Sequence, residues 1–496
     1  MNYISTRDKS VKVSAAKAIA QGISTEGGLF VPDTFPILSD GDFAELSKMD
    51  YVERAKFVLK GFLNDFTEEE LDCCVKGAYL GSFDDDKPAP ISVINKNTNI
   101  LELWHGPTCA FKDLALQLLP FLLTTSAKKV SGGKKTVILV ATSGDTGKAA
   151  LEGSKDVENT EIMVFYPSEG VSPMQKLQMD SQQGENVHVC AIKGNFDDAQ
   201  TGVKKIFTDG DVKAKFSDNN MLFSSANSIN WGRLAPQIVY YVSAYCDLLG
   251  EHPEIKADGF NVVVPTGNFG NILAAYYAKK MGVPINRLIC ASNANNVLTD
   301  FINTGVYSRN REFYTTISPS MDILISSNLE RMLFELSGNN DEEITEIQNN
   351  LSESGTFEVS GEIKAKLGEL FWAGCCDDTA TLKTISKYFA EYSYLLDTHT
   401  AVAMNVYEQY VKATGDDRVT VIASTASPYK FANSVLSAVS DKKGESEFET
   451  VKILSEVTNT EIPTPIKALE NAKIRFKEIC DKQEMLDAVY KALNIQ

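Results

Sequence analysis

One lysine stands where an amine could be made nucleophilic. In Trp104-His105-Gly106-Pro107-Thr108-Cys109-Ala110-Phe111-Lys112-Asp113 a Gly-Pro turn precedes a helix start, and Lys112 lies among small and apolar residues. Such surroundings disfavour the ammonium form, and a desolvated amine is what imine formation with an aldehyde cofactor requires. Taken singly, a lysine beside Asp113 reads more readily as a surface helix residue than as a nucleophile. Its neighbours decide.

Two glycine-containing turns could hold anions. Ser143-Gly144-Asp145-Thr146-Gly147-Lys148 follows the apolar run Thr136–Ala141 and opens into Ala149-Ala150-Leu151, so exposed amides and hydroxyls at a helix start are available. It is no Walker loop, which would need Gly at 142 and a hydroxyl at 149, where the chain has Thr142 and Ala149. By itself the turn serves equally as a helix cap. Pro265-Thr266-Gly267-Asn268-Phe269-Gly270-Asn271 lies between another buried run and a helix, and its glycines let amides close around a phosphate. A tight turn with Asn as helix cap is the alternative.

Together these segments resemble the threonine synthases, pyridoxal phosphate enzymes of the tryptophan synthase β-subunit (type II) fold. His105-Gly106-Pro107-Thr108 with Ala110-Phe111-Lys112-Asp113 looks like that family's cofactor-lysine motif. Ser143-Gly144-Asp145-Thr146-Gly147 looks like its substrate loop, and Gly267-Asn268-Phe269-Gly270-Asn271 like its cofactor-phosphate loop. Tyr3-Ile4-Ser5-Thr6-Arg7, Gly27–Pro32, Asn227–Arg233 and Asp397-Thr398-His399-Thr400-Ala401 extend the likeness over most of the chain. One departure is visible: the family often has Thr-Ala-His-Pro-Ala-Lys-Phe where this chain has Thr425-Ala426-Ser427-Pro428-Tyr429-Lys430-Phe431.

The resemblance implies conversion of O-phospho-L-homoserine and water to L-threonine and phosphate, by a carbon-oxygen lyase with pyridoxal 5'-phosphate on Lys112. It implies further that Gly267, Asn268, Phe269, Gly270 and Asn271 hold the cofactor phosphate and that Thr425 faces the pyridine nitrogen. Ser143, Asp145 and Thr146 would hold the substrate carboxylate end; Asp145, if ionised, would repel a carboxylate and is expected to point elsewhere. Ser228, Asn230 and Arg233 are assigned to the substrate phosphate, because a guanidinium offers a planar fork matched to its oxygens. Lys148 is a lesser contributor. His399 is read as ordering a helix start, His105 is left without a role, and no metal site is expected. A serine or threonine dehydratase of the same fold, which needs no second phosphate site, and a non-catalytic relative binding a phosphorylated metabolite are the alternative readings.

The elements that must position these residues are legible as well. Runs at Thr136–Ala141, Glu161–Tyr166, Asn186–Ala191, Phe260–Pro265, Arg287–Ala291 and Val419–Ser424 read as buried strands alternating with helices. Parallel strands need crossovers, so the fold class is α/β: two open, mostly parallel sheets with helices on both faces around a central cofactor cleft. Ligands in such sheets bind beyond the carboxyl ends of the strands, where the three turns fall. An amino-terminal α+β domain is expected over 1–90, with helical spacing at 43–63 and the acidic linker Asp84-Asp85-Asp86-Lys87-Pro88 at its end. The catalytic region then covers 91–440, with a helical insertion or helical part of the second sheet domain near 305–395. Residues 441–496 are expected to pack on it.

Composition narrows the partners. With 496 residues and a formal net charge of −18, the chain is long enough for several domains and opposes nucleic acid and anionic membranes. Any phosphate seat must be local. Nine cysteines without a Cys-x-x-Cys pair argue against zinc and fit a reducing cytoplasm. The start Met1–Asp8 lacks an apolar signal core, and no run is long enough to span a bilayer. The expectation is a cytoplasmic enzyme of a small-molecule substrate, monomer or homodimer.

Overall fold

The structure, a computed structural model, describes residues 1–84, 87–142, 144–169 and 171–495; Asp85 and Asp86 of the linker lie outside the described residues. The six apolar runs form strands at Lys135–Ala141, Thr160–Pro167, Val187–Lys193, Phe260–Pro265, Ile285–Ser292 and Thr420–Ser424. Phe260–Pro265 and Thr420–Ser424 are buried at every position, as strands covered on both faces must be.

These strands build two sheets. A five-stranded parallel sheet runs in the order Ile479–Asp481, Val187–Lys193, Thr160–Pro167, Lys135–Ala141, Met221–Ser224. A six-stranded sheet runs Phe371–Cys375, Ile285–Ser292, Phe260–Pro265, Thr420–Ser424, Thr98–Glu102, Ile91–Asn95, and only the last strand is antiparallel. The α/β class with two mostly parallel sheets is therefore the fold observed. Ahead of them, Tyr3–Ser5, Lys12–Val13 and Phe30–Pro32 make a three-stranded antiparallel sheet accompanied by helices, the α+β amino-terminal domain.

The helical stretch expected at 43–63 is two helices, Asp40–Leu46 and Tyr51–Phe62. Capping boxes explain the break. Ser39 with Asp42 opens the first helix and Asp50 with Glu53 opens the second, so polar side chains satisfy the amides of two separate starts. The region 305–395 is helical in large part, yet it also supplies Phe371–Cys375, an edge strand of the larger sheet, and a two-stranded antiparallel sheet of Val306–Ser308 with Thr356–Glu358. Ala373-Gly374 weakens the strand signal there, and pairing with Ile285–Ser292 overrides it.

One helix ties the layers to the site. Trp231–Leu248 is buried along nearly its whole length and packs on Tyr51–Phe62, Gly270–Lys280 and Lys112–Leu116. Trp231 meets Tyr3 and Phe62 of the amino-terminal domain at ring separations of 5.3 and 5.6 Å. Arg331, wholly buried, adds a polar clamp through Phe30 O (3.0 Å), Ile229 O (2.6 Å) and Asn328 Oδ1 (2.6 Å).

Candidate active site

Lys112 begins a short helix, Lys112–Leu116, that the preceding turn fixes in place. The Asp113 carboxylate closes the turn by accepting from Thr108 N (2.8 Å) and Thr108 Oγ1 (2.6 Å), and burial pushes that carboxyl up to about 6. A Cβ at Gly106 would stand 2.5 Å from Asp113 Cβ, so glycine alone permits the closure. Phe111 N then donates to Thr425 O at 2.9 Å and Ala110 bridges to Ala426, stapling the lysine to the end of Thr420–Ser424. Lys112 Nζ lies 3.2 Å from Ser320 Oγ and 3.6 Å from Asp145 Oδ2. Burial, against the attraction of Asp145, pushes the amine down to about 8.

Asp145 does not point away. Its Oδ1 pairs with Lys430 Nζ at 2.6 Å and accepts from Gln175 Nε2 at 3.0 Å, while Oδ2 faces Lys112 and Ser320. Burial would raise this carboxyl, but Lys430 and Lys112 outweigh it and hold it well below the usual carboxylate range. The expectation failed because Lys430 was assigned no role, and its charge is what lets an ionised aspartate face the centre.

The turn after Phe260–Pro265 leaves its donors open. Among the described residues, no backbone N–H from Gly267 to Asn271 finds an acceptor. Phe269 takes a left-handed conformation (φ 61°) and the helix Gly270–Lys280 starts with no side-chain cap, leaving its positive end open. Asn271 Nδ2 is buried and unpartnered, although its Oδ1 accepts from Tyr241 Oη. Ser326 Oγ holds Gly267 O (2.8 Å) and Asn328 N holds Asn268 O (3.1 Å). These donors fit a phosphate group, and the desolvated Lys112 fits an aldehyde; together they fit pyridoxal phosphate. Thr425, whose carbonyl accepts from Phe111 N, is 6% exposed, its hydroxyl without a hydrogen bond among the described residues. Ser427, where an imidazole would have been expected, is buried and caps the turn Pro428–Phe431 by accepting from Tyr429 N at 3.4 Å.

The predicted substrate residues divide. Ser143 lies outside the described residues. Thr146, half-buried, is in the first turn of the helix Asp145–Ser154, ahead of which Thr142 Oγ1 accepts from Gly144 N and Gly147 N, each at 3.0 Å. Arg233 is buried, not an exposed helix opener: its guanidinium donates to Ala226 O (2.7 Å), and its charge helps lower the Lys112 amine. Ser228 Oγ pairs with Ser327 Oγ at 3.2 Å. Asn230 is otherwise engaged. Its amide caps Trp231–Leu248 through Gly232 N (2.9 Å) and donates to Ile19 O and Ser225 O, both at 3.1 Å. Lys148 is tied to Glu152 (2.9 Å) and Gln182.

His399 does more than order a helix start, which Asp397 caps; its Nε2 accepts from Ser320 N at 3.1 Å while Nδ1 faces Asp397 Oδ1 at 3.0 Å. His105 is held by Glu102 (2.8 Å) and Asp84 (3.0 Å), whose hydrogen bonds outweigh burial and push it up to about 9. Sequence reasoning missed Ser320 altogether and left Lys430 without a role. Lys430 stood in a matching Lys-Phe pair, whereas Ser320 carried no signal.

Family models match three stretches of the chain. The family described as "Threonine synthase N terminus" matches residues 2–79, "Pyridoxal-phosphate dependent enzyme" matches 100–357 and "Threonine synthase, C-terminal" matches 400–490. The chain is 41% identical over 459 residues to human threonine synthase-like 1, covering 89% of this chain and 61% of that protein, so it spans well under the full length of that relative. With the threonine synthase of Saccharomyces cerevisiae it shares 35% identity over 521 residues, covering 99% of this chain and 98% of that one. Among solved structures, the pyridoxal phosphate-bound threonine synthase of Brucella melitensis superposes with a TM-score of 0.89 at 34% identity, over the whole of both chains.

Proposed function

The chain belongs to the threonine synthase family, and on that premise we propose that it converts O-phospho-L-homoserine and water to L-threonine and phosphate with pyridoxal 5'-phosphate. The observation that carries the reading is the pairing of the buried amine of Lys112 with the five unpaired amides at Gly267 to Asn271. Lys112 would be the attachment point for the cofactor aldehyde, Gly267, Asn268, Phe269, Gly270 and Asn271 would hold its phosphate, and the Thr425 hydroxyl would serve the pyridine nitrogen. When bound, the cofactor supplies a conjugated ring that draws electrons from the α-carbon of the attached amino acid.

The protein's own groups do the rest. Lys112 would take the substrate's Cα proton and then a Cβ proton. An amine with a pKa near the working pH serves both transfers, since it must accept and return protons in turn. Arg233 and Ser228 would hold the phosphate as it departs from Cγ; a proton returned to Cγ then makes the methyl group, water adds at Cβ, and the last proton returns to Cα. Ser143, Thr146 and the amides of their turn hold the substrate carboxylate, with Asp145 neutralised by its lysines. Asn230 acts on this site by fixing the helix that carries Arg233. The chain works as a monomer or homodimer in the cytoplasm, where its nine free cysteines stay reduced.

The test is a phosphate-release assay on O-phospho-L-homoserine, with L-serine and L-threonine as competing substrates. Phosphate and threonine formed in equal amounts, with the two hydroxy amino acids left intact, is the expected result. Deamination of L-threonine at a comparable rate would transfer the chain to the dehydratases.

A further inference from the structure

The cluster around Lys112 holds three cationic side chains, the carboxylate of Asp145 and, on the turn beside Lys430, that of Asp113. Asp145 presents Oδ1 to Lys430 at 2.6 Å and Oδ2 to Lys112 at 3.6 Å, and Gln175 strengthens the first contact from 3.0 Å. Arg233, on the helix Trp231–Leu248, adds a further positive charge felt at Lys112. The Ser320 hydroxyl stands between Lys112 and Asp145, 3.2 Å from one and 3.4 Å from the other, on a turn held by His399 Nε2. Asp113, next to Lys112 in the chain, spends its carboxylate on Thr108. Resting on the function proposed above, we propose that Lys430 is a positioning residue: it takes the short contact with Asp145, so that Lys112 is left with the longer and weaker one.

Charge and distance make the case. Three buried cations against the two carboxylates of Asp145 and Asp113 leave excess positive charge, and low dielectric makes that excess costly until one cation gives up its proton. Arg233 is the poorest candidate, because a guanidinium loses its proton least readily. Lys430 has the shorter contact with Asp145, and its side chain is 1% exposed, so water does not screen the pair. Lys112 is left as the group that yields. Lys430 also donates to Thr108 O at 2.9 Å, so the turn that places Lys112 places its electrostatic partner too. The amine at about 8 agrees with this arrangement.

The proposal is tested on the full-length chain freed of cofactor. Lys112 is acetylated with acetic anhydride at a series of pH values, and its labelling is followed by peptide mass spectrometry. The wild-type midpoint is expected at about 8. Lys430→Met leaves Asp145 to pair with Lys112 and moves the midpoint up by about one unit or more, cutting labelling at pH 7 about tenfold. Asp145→Asn moves it down, because Lys430 then repels without a partner. Lys430→Arg keeps it near the wild-type value, and the double variant Lys430→Met/Asp145→Asn stays within about one unit of it. In the loaded enzyme, the acid limb of the pH–rate profile follows the same order.

A Lys430→Met midpoint that is unchanged or lowered overturns the proposal. If either single variant does not fold, the double variant, which leaves no unpaired charge at the Asp145–Lys430 pair, decides: a shift of more than about one unit overturns it. The titration requires neither cofactor nor substrate. Failure to release phosphate from O-phospho-L-homoserine would therefore strike the proposed activity and leave this result standing.

Discussion

Gly267→Ala puts the phosphate seat to a graded test. A Cβ at this position would lie 2.7 Å from Ser320 O and 3.6 Å from Met321 Cα. The first contact is with backbone, so no side chain can swing aside. The Ser320 turn resists as well, because His399 Nε2 accepts from Ser320 N at 3.1 Å and Met321 N donates to Ser318 O at 3.0 Å. Relieving such an overlap costs about 1–3 kcal/mol. If the loop moves and its amides lose their convergence on the phosphate, that energy appears as cofactor affinity weakened about 5- to 150-fold. If the Ser320 turn moves instead, the same energy appears in the unfolding of the cofactor-free protein, and Ser320 Oγ withdraws from Lys112. Fluorescence titration with pyridoxal phosphate and urea unfolding of the cofactor-free chain together catch both routes. Wild-type values in both experiments would show that Gly267 is not pinned between the seat and the lysine.

Three further outcomes are expected. Arg233→Lys keeps a charge but removes the planar fork and the bond to Ala226 O, so KM for O-phospho-L-homoserine should rise about tenfold or more in steady-state kinetics; an unchanged kcat/KM would remove Arg233 from the substrate site. Arg331→Met strands three buried acceptors, Phe30 O, Ile229 O and Asn328 Oδ1, and should lower the stability read from equilibrium unfolding by about 2–4 kcal/mol; a loss below about 0.5 kcal/mol would contradict the clamp. Capture of pyridoxal phosphate by the cofactor-free protein should speed up with rising pH and level off with a midpoint near 8, because only the neutral amine attacks an aldehyde and burial makes Lys112 neutral from about 8 upward. A stopped-flow rate flat from pH 6.5 to 9 would show that the amine is not the group that titrates.

The elements and the signals that reveal them explain what the chain disclosed in advance. Strands buried on both faces carry a continuous apolar signal, so Phe260–Pro265 and Thr420–Ser424 were read with their boundaries within a residue. The site residues legible in sequence are those on the turns just after such strands. Phe371–Cys375 escaped because an edge strand containing Gly374 is specified by its partner, Ile285–Ser292, and not by its own residues. Ser320 escaped for a related reason. It lies on a turn far along the chain from Lys112, brought near it by His399 and by the missing Cβ of Gly267, and no local pattern encodes that approach. Asp145 was visible, but its orientation was not, because the sign of the local field depends on Lys430, nearly the whole catalytic region away in sequence. Asn230 looked like a ligand by residue type, yet a helix start needing a cap claimed its amide.

The most direct measurement is the fate of Lys112 on reduction. The protein, loaded with pyridoxal phosphate, is treated with borohydride, digested and mapped by mass spectrometry, while reduced and untreated portions are assayed for phosphate release from O-phospho-L-homoserine. Reduction is expected to fix the cofactor on Lys112 alone, with phosphate release abolished in the reduced protein and in Lys112→Ala. A label on Lys430 or any other lysine, or phosphate release surviving in Lys112→Ala, would contradict the account.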